Sequence, residues 1–294
     1  MFSGSYVALV TPFDADGNVN YLKLEELLAF QEKSGTDGVV LLGTTGESPT
    51  VSDAEAEKMI CVTREHKGKM KLIVGCSSNH TRVAAEKAKR AERLGADGLL
   101  VLTPYYNKTN DAGLTAHFRT VADAVHIPII LYHVPGRTGC RIPIGVLEKL
   151  KEHRNIVGMK EASGDMGYFM KASLLADGDF CLFSGNDDLT VPMMSMGACG
   201  VISVLANLFP KEVKTMTELA AEGDFAGASR WQKHFLPLIE ALFCETNPIP
   251  VKAAMNLLGN DVGGYRLPLA PMEEANKLRL AAELERVKAI IGFF

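Results

Sequence analysis

Residues 155–163 read Asn155-Ile156-Val157-Gly158-Met159-Lys160-Glu161-Ala162-Ser163, an apolar segment that runs directly into a lysine. A buried strand of a parallel sheet is usually a near-continuous apolar run. Lysine is rarely fully buried unless it is paired or functional. Lys160 therefore indicates a strand that ends in a site, and its position alone leaves two interpretations open, a nucleophilic amine or a structural ion pair with Glu161.

Seven further apolar runs of strand length lie along the chain, and helical patterns separate them. These seven runs lie at residues 6–10, 38–42, 71–75, 98–102, 128–132, 180–183 and 200–203, and the segment 156–160 is the eighth. No Gly-x-Gly-x-x-Gly or Walker A motif follows any of them, which argues against a doubly wound nucleotide-binding sheet. Eight such units predict an α/β fold, a closed (β/α)8 TIM barrel.

The strand pattern stops beyond Ala221. From there the apolar residues recur at helical spacing, which predicts a C-terminal helical appendix of three helices. We therefore divide the chain into a catalytic barrel over residues 1–223 and a helical region over residues 224–294 that packs on the barrel or on a neighbour.

Composition narrows the function. The 294 residues carry a net charge of -4, and no long basic block is present, which argues against a nucleic-acid partner. No apolar run approaches the length of a membrane helix, and no signal-peptide pattern is present, so we expect a cytoplasmic protein without a membrane partner. The six cysteines include no Cys-x-x-Cys pair, which favours neither a disulfide framework nor a zinc ribbon.

Barrel enzymes place their chemistry at the carboxyl ends of the strands. Here those ends carry hydroxyl groups and one central amine, without a His, Asp and Glu cluster of metal-ligand character. A mechanism that depends on an amine and needs no metal or other cofactor is therefore favoured. A nucleophilic lysine must lose its proton, and burial in a barrel interior favours the uncharged amine.

Other side chains at the strand ends have two interpretations each. Tyr132 ends the strand before that of Lys160, where a phenol could shuttle protons, although a packed core aromatic is equally consistent. Arg137 follows on a Pro/Gly loop and suits a substrate carboxylate, or is simply a solvated surface residue. Thr44 and Thr45 lie between glycines, as in ordinary turns.

Several longer motifs, taken together, resemble the class I aldolase family of dihydrodipicolinate synthase and N-acetylneuraminate lyase. The resemblance covers essentially the whole chain. Its motifs are Gly43-Thr44-Thr45-Gly46-Glu47-Ser48, Pro104-Tyr105-Tyr106-Asn107, residues 132–139, Val157 to Ser163, Leu182 to Asp187, Gly200 to Val204 and Asn247-Pro248-Ile249-Pro250-Val251-Lys252.

The resemblance implies that Lys160 forms a Schiff base with pyruvate. It further implies that Thr45 and the backbone around Ile202 hold the pyruvate carboxylate and that Gly185 lies close to the substrate. Tyr132, together with Thr44 and Tyr106, would form a proton relay.

By the same resemblance, the residue matching Tyr106 reaches the active site of a neighbouring subunit, which implies a homotetramer built as a dimer of dimers. Arg137 favours the synthase branch of the family, since it would bind the carboxylate of L-aspartate 4-semialdehyde. The implied product is 4-hydroxy-tetrahydrodipicolinate, on the route to diaminopimelate and lysine. The alternatives are a pyruvate-dependent lyase for a sialic or keto-deoxy sugar acid and a catalytically silent barrel that binds an oxo-acid.

Feedback inhibition is a point on which the sequence departs from some relatives. In lysine-inhibited relatives the inhibitor cleft uses histidines and a glutamate, whereas the matching positions here are Asp53, Ala56 and Val83. Because the carboxylate that would bind the ammonium groups of lysine is missing, we expect weak inhibition or none.

Overall fold

Eight parallel strands form a closed barrel in the computed structural model of the chain, which describes residues 2–291. Each strand pairs with the next along the chain, and β8 closes the barrel against β1. The predicted TIM barrel is confirmed, and the predicted strands agree with the observed ones to within two residues. The strands are β1 Gly4–Ala8, β2 Gly38–Leu41, β3 Lys71–Gly75, β4 Gly98–Leu102, β5 Ile129–His133, β6 Ile156–Glu161, β7 Cys181–Ser184 and β8 Gly200–Ser203.

Helices surround the barrel and continue after its last strand. Local sequence determines where several of them begin. Ser52, for example, forms a capping box with Glu55 at the start of the second helix. The helices are α1 Tyr21–Lys33, α2 Asp53–His66, α3 Thr81–Arg93, α4 Asp111–Asp123, α5 Pro135–Thr138, α6 Ile144–Lys151, α7 Met166–Ser173, α8 Thr190–Ser195, α9 Pro210–Ala221, α10 Phe225–Leu242, α11 Ile249–Leu257 and α12 Glu274–Ile291.

Strand alternation divides the core into two layers. One set of side chains, which includes Tyr6, Val40, Ile130 and Phe183, fills the barrel interior, and the other set packs against the helices. At the seam a Cβ on Gly200 would lie 2.0 Å from the carbonyl oxygen of Gly4, so only glycine fits there. The closely packed interior leaves the carboxyl ends of the strands as the place for a site.

Helices α10, α11 and α12 follow residue 223 and bring a buried ion pair to the barrel. Lys252 of α11 lies 2.9 Å from the carboxylate of Glu47, in the loop after β2, and donates to the carbonyl of Thr11 at 3.0 Å. Both side chains are buried. The helical region therefore contributes to the walls at the carboxyl end of the barrel. Among the described residues, no helix is long and apolar enough to cross a membrane.

Candidate active site

Neighbouring strands bring Lys160 and Tyr132 together. Tyr132 of β5 is the register partner of Lys160 on β6, and the Lys160 Nζ lies 4.6 Å from the centre of the Tyr132 ring. Lys160 is 5% exposed and Tyr132 is 6% exposed. The amine and the phenol ring therefore lie side by side in a nearly dry environment.

Glu161 does not pair with the lysine beside it. Successive residues of a strand point to opposite faces, and the Oε1 of Glu161 lies 3.0 Å from the Nδ1 of His133 and accepts from the backbone N–H of Ser163 at 2.9 Å. In residues 2–291 no carboxylate lies within 4.0 Å of the Lys160 amine in an ion pair. The ion-pair interpretation of Lys160 with Glu161 is therefore wrong.

A second carboxylate acts on Lys160 over a longer range. Asp187 is fully buried, and it accepts hydrogen bonds from the hydroxyl of Ser203 and from the backbone N–H groups of Val204 and Leu205. Burial raises the pKa of the Asp187 carboxyl, while these hydrogen bonds and the charge of Lys160 oppose the rise. Asp187 thereby ties the end of β8 to the loop after β7.

Gly185 leaves the space that Lys160 occupies. A Cβ at this position would lie 3.0 Å from the Cε of Lys160, 2.6 Å from the Cβ of Ala162 and 2.8 Å from the carbonyl oxygen of Glu161. Contacts this short are not tolerated. The structure therefore places Gly185 directly against the candidate nucleophile.

Two adjoining cavities open at this end of the barrel. The first, of about 430 Å³, is lined by Lys160, Thr45 and Gly185 among others. The second, of about 340 Å³, is lined by Thr44 and Tyr105 among others. Four residues border both cavities, namely Tyr132, Val134, Arg137 and Asn247. Tyr132 and Arg137 are therefore in reach of ligands in either one.

Thr44 and Thr45 face different cavities, although they are adjacent in the chain. Thr45 is buried, and its Oγ1 accepts a hydrogen bond from the Nδ2 of Asn247 at 2.9 Å. Since the oxygen of Thr45 accepts that bond, its own proton is directed elsewhere. A hydroxyl oriented in this way suits a ligand carboxylate in the Lys160 cavity.

Arg137 lies at the mouth of both cavities. It belongs to the short helix α5, and its Nη2 donates to the backbone carbonyl of Asn247 at 3.3 Å. The rest of its guanidinium has no described partner in residues 2–291, so the group is available for a carboxylate. The position expected from the sequence, next to Tyr132, is the one observed.

Two predicted site residues lie outside the cavities. Tyr106 is 92% exposed, has a left-handed backbone with φ of 70°, and lines neither cavity. The Ile202 side chain is buried in the barrel interior in one cluster with Tyr132 and Phe183. The single chain therefore does not bring Tyr106 to Lys160.

Sequence reasoning missed Asn247 as a site residue. Its signal was present, because Asn247 opens one of the motifs on which the family resemblance depends. It stands 202 residues from Thr45, however, and nothing local predicts that contact. As for metals, the described part of the chain contains no group of three His, Cys, Asp or Glu side chains that could hold an ion.

Comparisons of the whole chain with known proteins point to one family. A family model described as the dihydrodipicolinate synthetase family matches residues 1–287. A protein of Clostridium tetani named 4-hydroxy-tetrahydrodipicolinate synthase is 48% identical over 286 residues, which are 97% of each chain. A protein of Methanosarcina acetivorans with the same name is 46% identical over 98% of this chain and 99% of its own.

Solved structures show the same likeness in three dimensions. The 4-hydroxy-tetrahydrodipicolinate synthase of the methanotroph Methylacidiphilum fumariolicum SolV superposes with a TM-score of 0.97 at 38% identity, over 99% of this chain and 98% of that one. The dihydrodipicolinate synthase of Aquifex aeolicus gives 0.95 at 43% identity, over 98% of each chain.

Proposed function

Because the chain belongs to the dihydrodipicolinate synthetase family, we propose that Lys160 and Tyr132 carry out the Schiff-base chemistry of its reaction. The chain is a lyase of the class I aldolase type that condenses pyruvate with L-aspartate 4-semialdehyde. The product is 4-hydroxy-tetrahydrodipicolinate, in the diaminopimelate and lysine pathway. Neither a sugar-acid lyase nor a silent barrel is favoured by these relatives.

The observation that carries the proposal is the buried amine of Lys160 beside the phenol ring of Tyr132. The amine attacks the keto carbon of pyruvate to give a carbinolamine, and loss of water from it leaves the Schiff base. Removal of a proton from the methyl carbon then gives an enamine, whose carbon attacks the aldehyde. Each step moves a proton, and the phenol of Tyr132, whose ring centre lies 4.6 Å from the Lys160 Nζ, is the group that we propose carries it.

The remaining proposed roles are those that the family resemblance implies, and the cavity walls support some of them. The Thr45 hydroxyl and the backbone around Ile202 bind the pyruvate carboxylate, and Gly185 leaves room for the adduct. Arg137 binds the carboxylate of the aldehyde substrate at the cavity mouth. Burial of Thr45 and the placement of Arg137 on both cavities support these assignments.

The proposed relay extends from Tyr132 through Thr44 to Tyr106. Since Tyr106 is exposed in the single chain, we propose that it enters the active site of a neighbouring subunit in a homotetramer, a dimer of dimers. We also propose that the enzyme acts in the cytoplasm on small-molecule substrates. A net charge of -4 supports the absence of a nucleic-acid partner.

Trapping tests the nucleophile directly. The protein is incubated with pyruvate and borohydride, digested and examined by mass spectrometry. We expect the peptide of Lys160 to gain one pyruvate minus one water plus two hydrogens. The Lys160→Met variant should gain nothing. An adduct on another lysine, or none in the wild type, contradicts the proposal.

A further inference from the structure

Asn247 presents a buried acceptor without a partner. The residue lies between α10 and α11, is 6% exposed and lines both cavities. Its Oδ1 has no hydrogen-bond partner among the described residues. A buried polar atom of this kind is costly unless something binds to it, so the oxygen points to a ligand that donates a hydrogen bond.

Two other polar groups of Asn247 are already hydrogen-bonded within the protein. The Nδ2 donates to the hydroxyl of Thr45 at 2.9 Å, and the backbone carbonyl accepts from Arg137 at 3.3 Å. The first bond orients the amide, and the second holds the residue beside the guanidinium. The Oδ1 is therefore held in place between the cavity of Lys160 and the group proposed to bind the aldehyde substrate.

Two carboxylates contribute negative charge to the same cavity. Asp188 and Glu240 both line it, together with Lys160 and Arg137 as the basic residues of that wall. Burial, and then the charge of Glu240, raise the pKa of the Asp188 carboxyl. Arg279 approaches Glu240 at 3.6 Å on an exposed surface and offsets part of its charge. Both acids are exposed, so solvent screens their charge and they act on a ligand in the cavity only at longer range.

Pyruvate does not match these features. As an anion it has no N–H or O–H group to donate to the Oδ1. L-Aspartate 4-semialdehyde, in contrast, carries an α-ammonium group next to its carboxylate. Asn247, whose backbone carbonyl accepts from Arg137 at 3.3 Å, is the neighbour of any carboxylate bound to that guanidinium.

We propose that Asn247 Oδ1, in the negative field of Asp188 and Glu240, binds the α-ammonium group of the aldehyde substrate. This inference rests on the proposed function and deepens it. Arg137 binds the carboxylate and Asn247 the ammonium group of the zwitterion, while Lys160 holds the enamine that attacks the aldehyde. The site thereby selects an amino-acid aldehyde over one that carries a carboxylate alone.

The test compares L-aspartate 4-semialdehyde with succinic semialdehyde, which lacks only the α-amine. The first is followed as substrate, and the second as a competitor against it. The variants are Asn247→Ala, Asp188→Asn and Glu240→Gln, with Glu148→Gln of α6, an exposed carboxylate outside both cavities, as the control. Borohydride trapping with pyruvate is run on every variant.

We expect Asn247→Ala to lower kcat/KM for the natural aldehyde by about 10- to 100-fold, the range of a hydrogen bond to a charged group. The inhibition constant of succinic semialdehyde should change by less than about threefold, because that compound has no ammonium to lose. Asp188→Asn and Glu240→Gln should raise the KM of the natural aldehyde and make it less sensitive to salt. Glu148→Gln should match the wild type.

Equal losses for both aldehydes would overturn the proposal, since Asn247 would then act only through Thr45. Unchanged kcat/KM in all three cavity variants would overturn it as well. Because no hydrogen bond among the described residues links Asp188 or Glu240 to Thr45, their variants keep the test valid if Asn247→Ala folds poorly. A trapped adduct on Lys160 in each variant separates failure of this inference from failure of the proposed function.

Discussion

Lys160 and Glu161 are adjacent in the chain, but their side chains point to opposite faces of β6. Alternation along β6 turns the lysine towards the barrel and the glutamate towards His133, which lies 3.0 Å away. The Lys160 amine is thus buried without an ion pair to Glu161. That alternation rules out the ion pair with Glu161 and is compatible with the nucleophilic role that we propose for Lys160.

Tyr132→Phe tests the proton transfer at the residue scale. The ring should keep its place beside Lys160, because only the hydroxyl is removed. We expect kcat to fall by about 10²- to 10⁴-fold, the range of general acid–base catalysis. Borohydride quenching at successive times after pyruvate is added should show slower formation of the pyruvate adduct. If the adduct forms at the wild-type rate and kcat is unchanged, Tyr132 is only a packing residue.

At the scale of elements, α11 is coupled to the loop after β2. Lys252 and Glu47 form a buried ion pair, and the Lys252 Nζ also lies 4.2 Å from the centre of the Phe13 ring. Burial lowers the pKa of Lys252, and the charge of Glu47 opposes that effect. The loop that carries Thr44 and Thr45 is thus attached to the C-terminal helices.

Lys252→Met should therefore be strongly destabilising. It leaves the Glu47 carboxylate buried without its partner, which costs about 3–5 kcal/mol of unfolding free energy. Adding Glu47→Gln removes the stranded charge, so the double variant should regain part of the loss. Denaturant unfolding of the two single variants and the double variant measures the coupling. Purely additive losses would show that the two residues do not act as a pair.

A second pair joins the start of α2 to the loop before α12. Arg266 donates to both carboxylate oxygens of Glu55, and this contact lowers the pKa of Glu55 from 4.5 to about 2. Because the folded-state pKa lies below the unfolded one, the stabilisation is complete above about pH 4.5. It is lost as the pH falls towards 2.

Arg266→Gln should accordingly lower the free energy of unfolding at neutral pH by about 1–2 kcal/mol, after allowance for solvent screening. The difference from the wild type should narrow as the pH falls from 4.5 towards 2, because Glu55 becomes protonated in the unfolded state over that range while the folded wild type still holds it ionised. Urea unfolding at several pH values measures it. A difference that stays constant with pH would contradict this assignment.

At the scale of the whole molecule, the position of Tyr106 decides whether one chain is enough. Its side chain is 92% exposed and lies outside both cavities. We propose that a neighbouring subunit receives it. Co-expression of Tyr106→Phe with Lys160→Met tests this, because a mixed dimer contains one site with both residues intact.

We expect each variant alone to have little activity and the mixture to recover a fraction of the wild-type rate. The control is the double variant that carries both substitutions in one chain. It should be inactive, because every site in its assembly lacks both residues. If the mixture is as inactive as its parts, Tyr106 does not cross between subunits.

Inhibition by lysine is the second prediction at this scale. Asp53, one of the positions that match the inhibitor cleft of lysine-sensitive relatives, is paired with Arg90 at 2.9 Å, and Arg90 also contacts Glu57 at 3.2 Å. A guanidinium there opposes the binding of a diamine. Steady-state assays should find weak inhibition by lysine or none, and strong inhibition at sub-millimolar lysine would overturn this.

Much of the fold and part of the site follow from the sequence alone. Apolar runs such as 156–160 and the helical spacing between them are local patterns, and they predicted the barrel and the strand that ends at Lys160. Tyr132 and Arg137 followed from the same logic, because neighbouring parallel strands end at one edge. Their chemical roles came from the family resemblance.

Only the tertiary structure decided which side chains meet. Asn247 reaches Thr45 across 202 residues, and Lys252 reaches Glu47 across 205. The partner of Glu161 is His133 of the next strand, although Lys160 is adjacent in the chain. Local patterns follow from backbone geometry within a few residues, whereas these pairs depend on how distant segments close around a common end of the barrel. The orientation of Thr45 and the unpartnered oxygen of Asn247 belong to that second class.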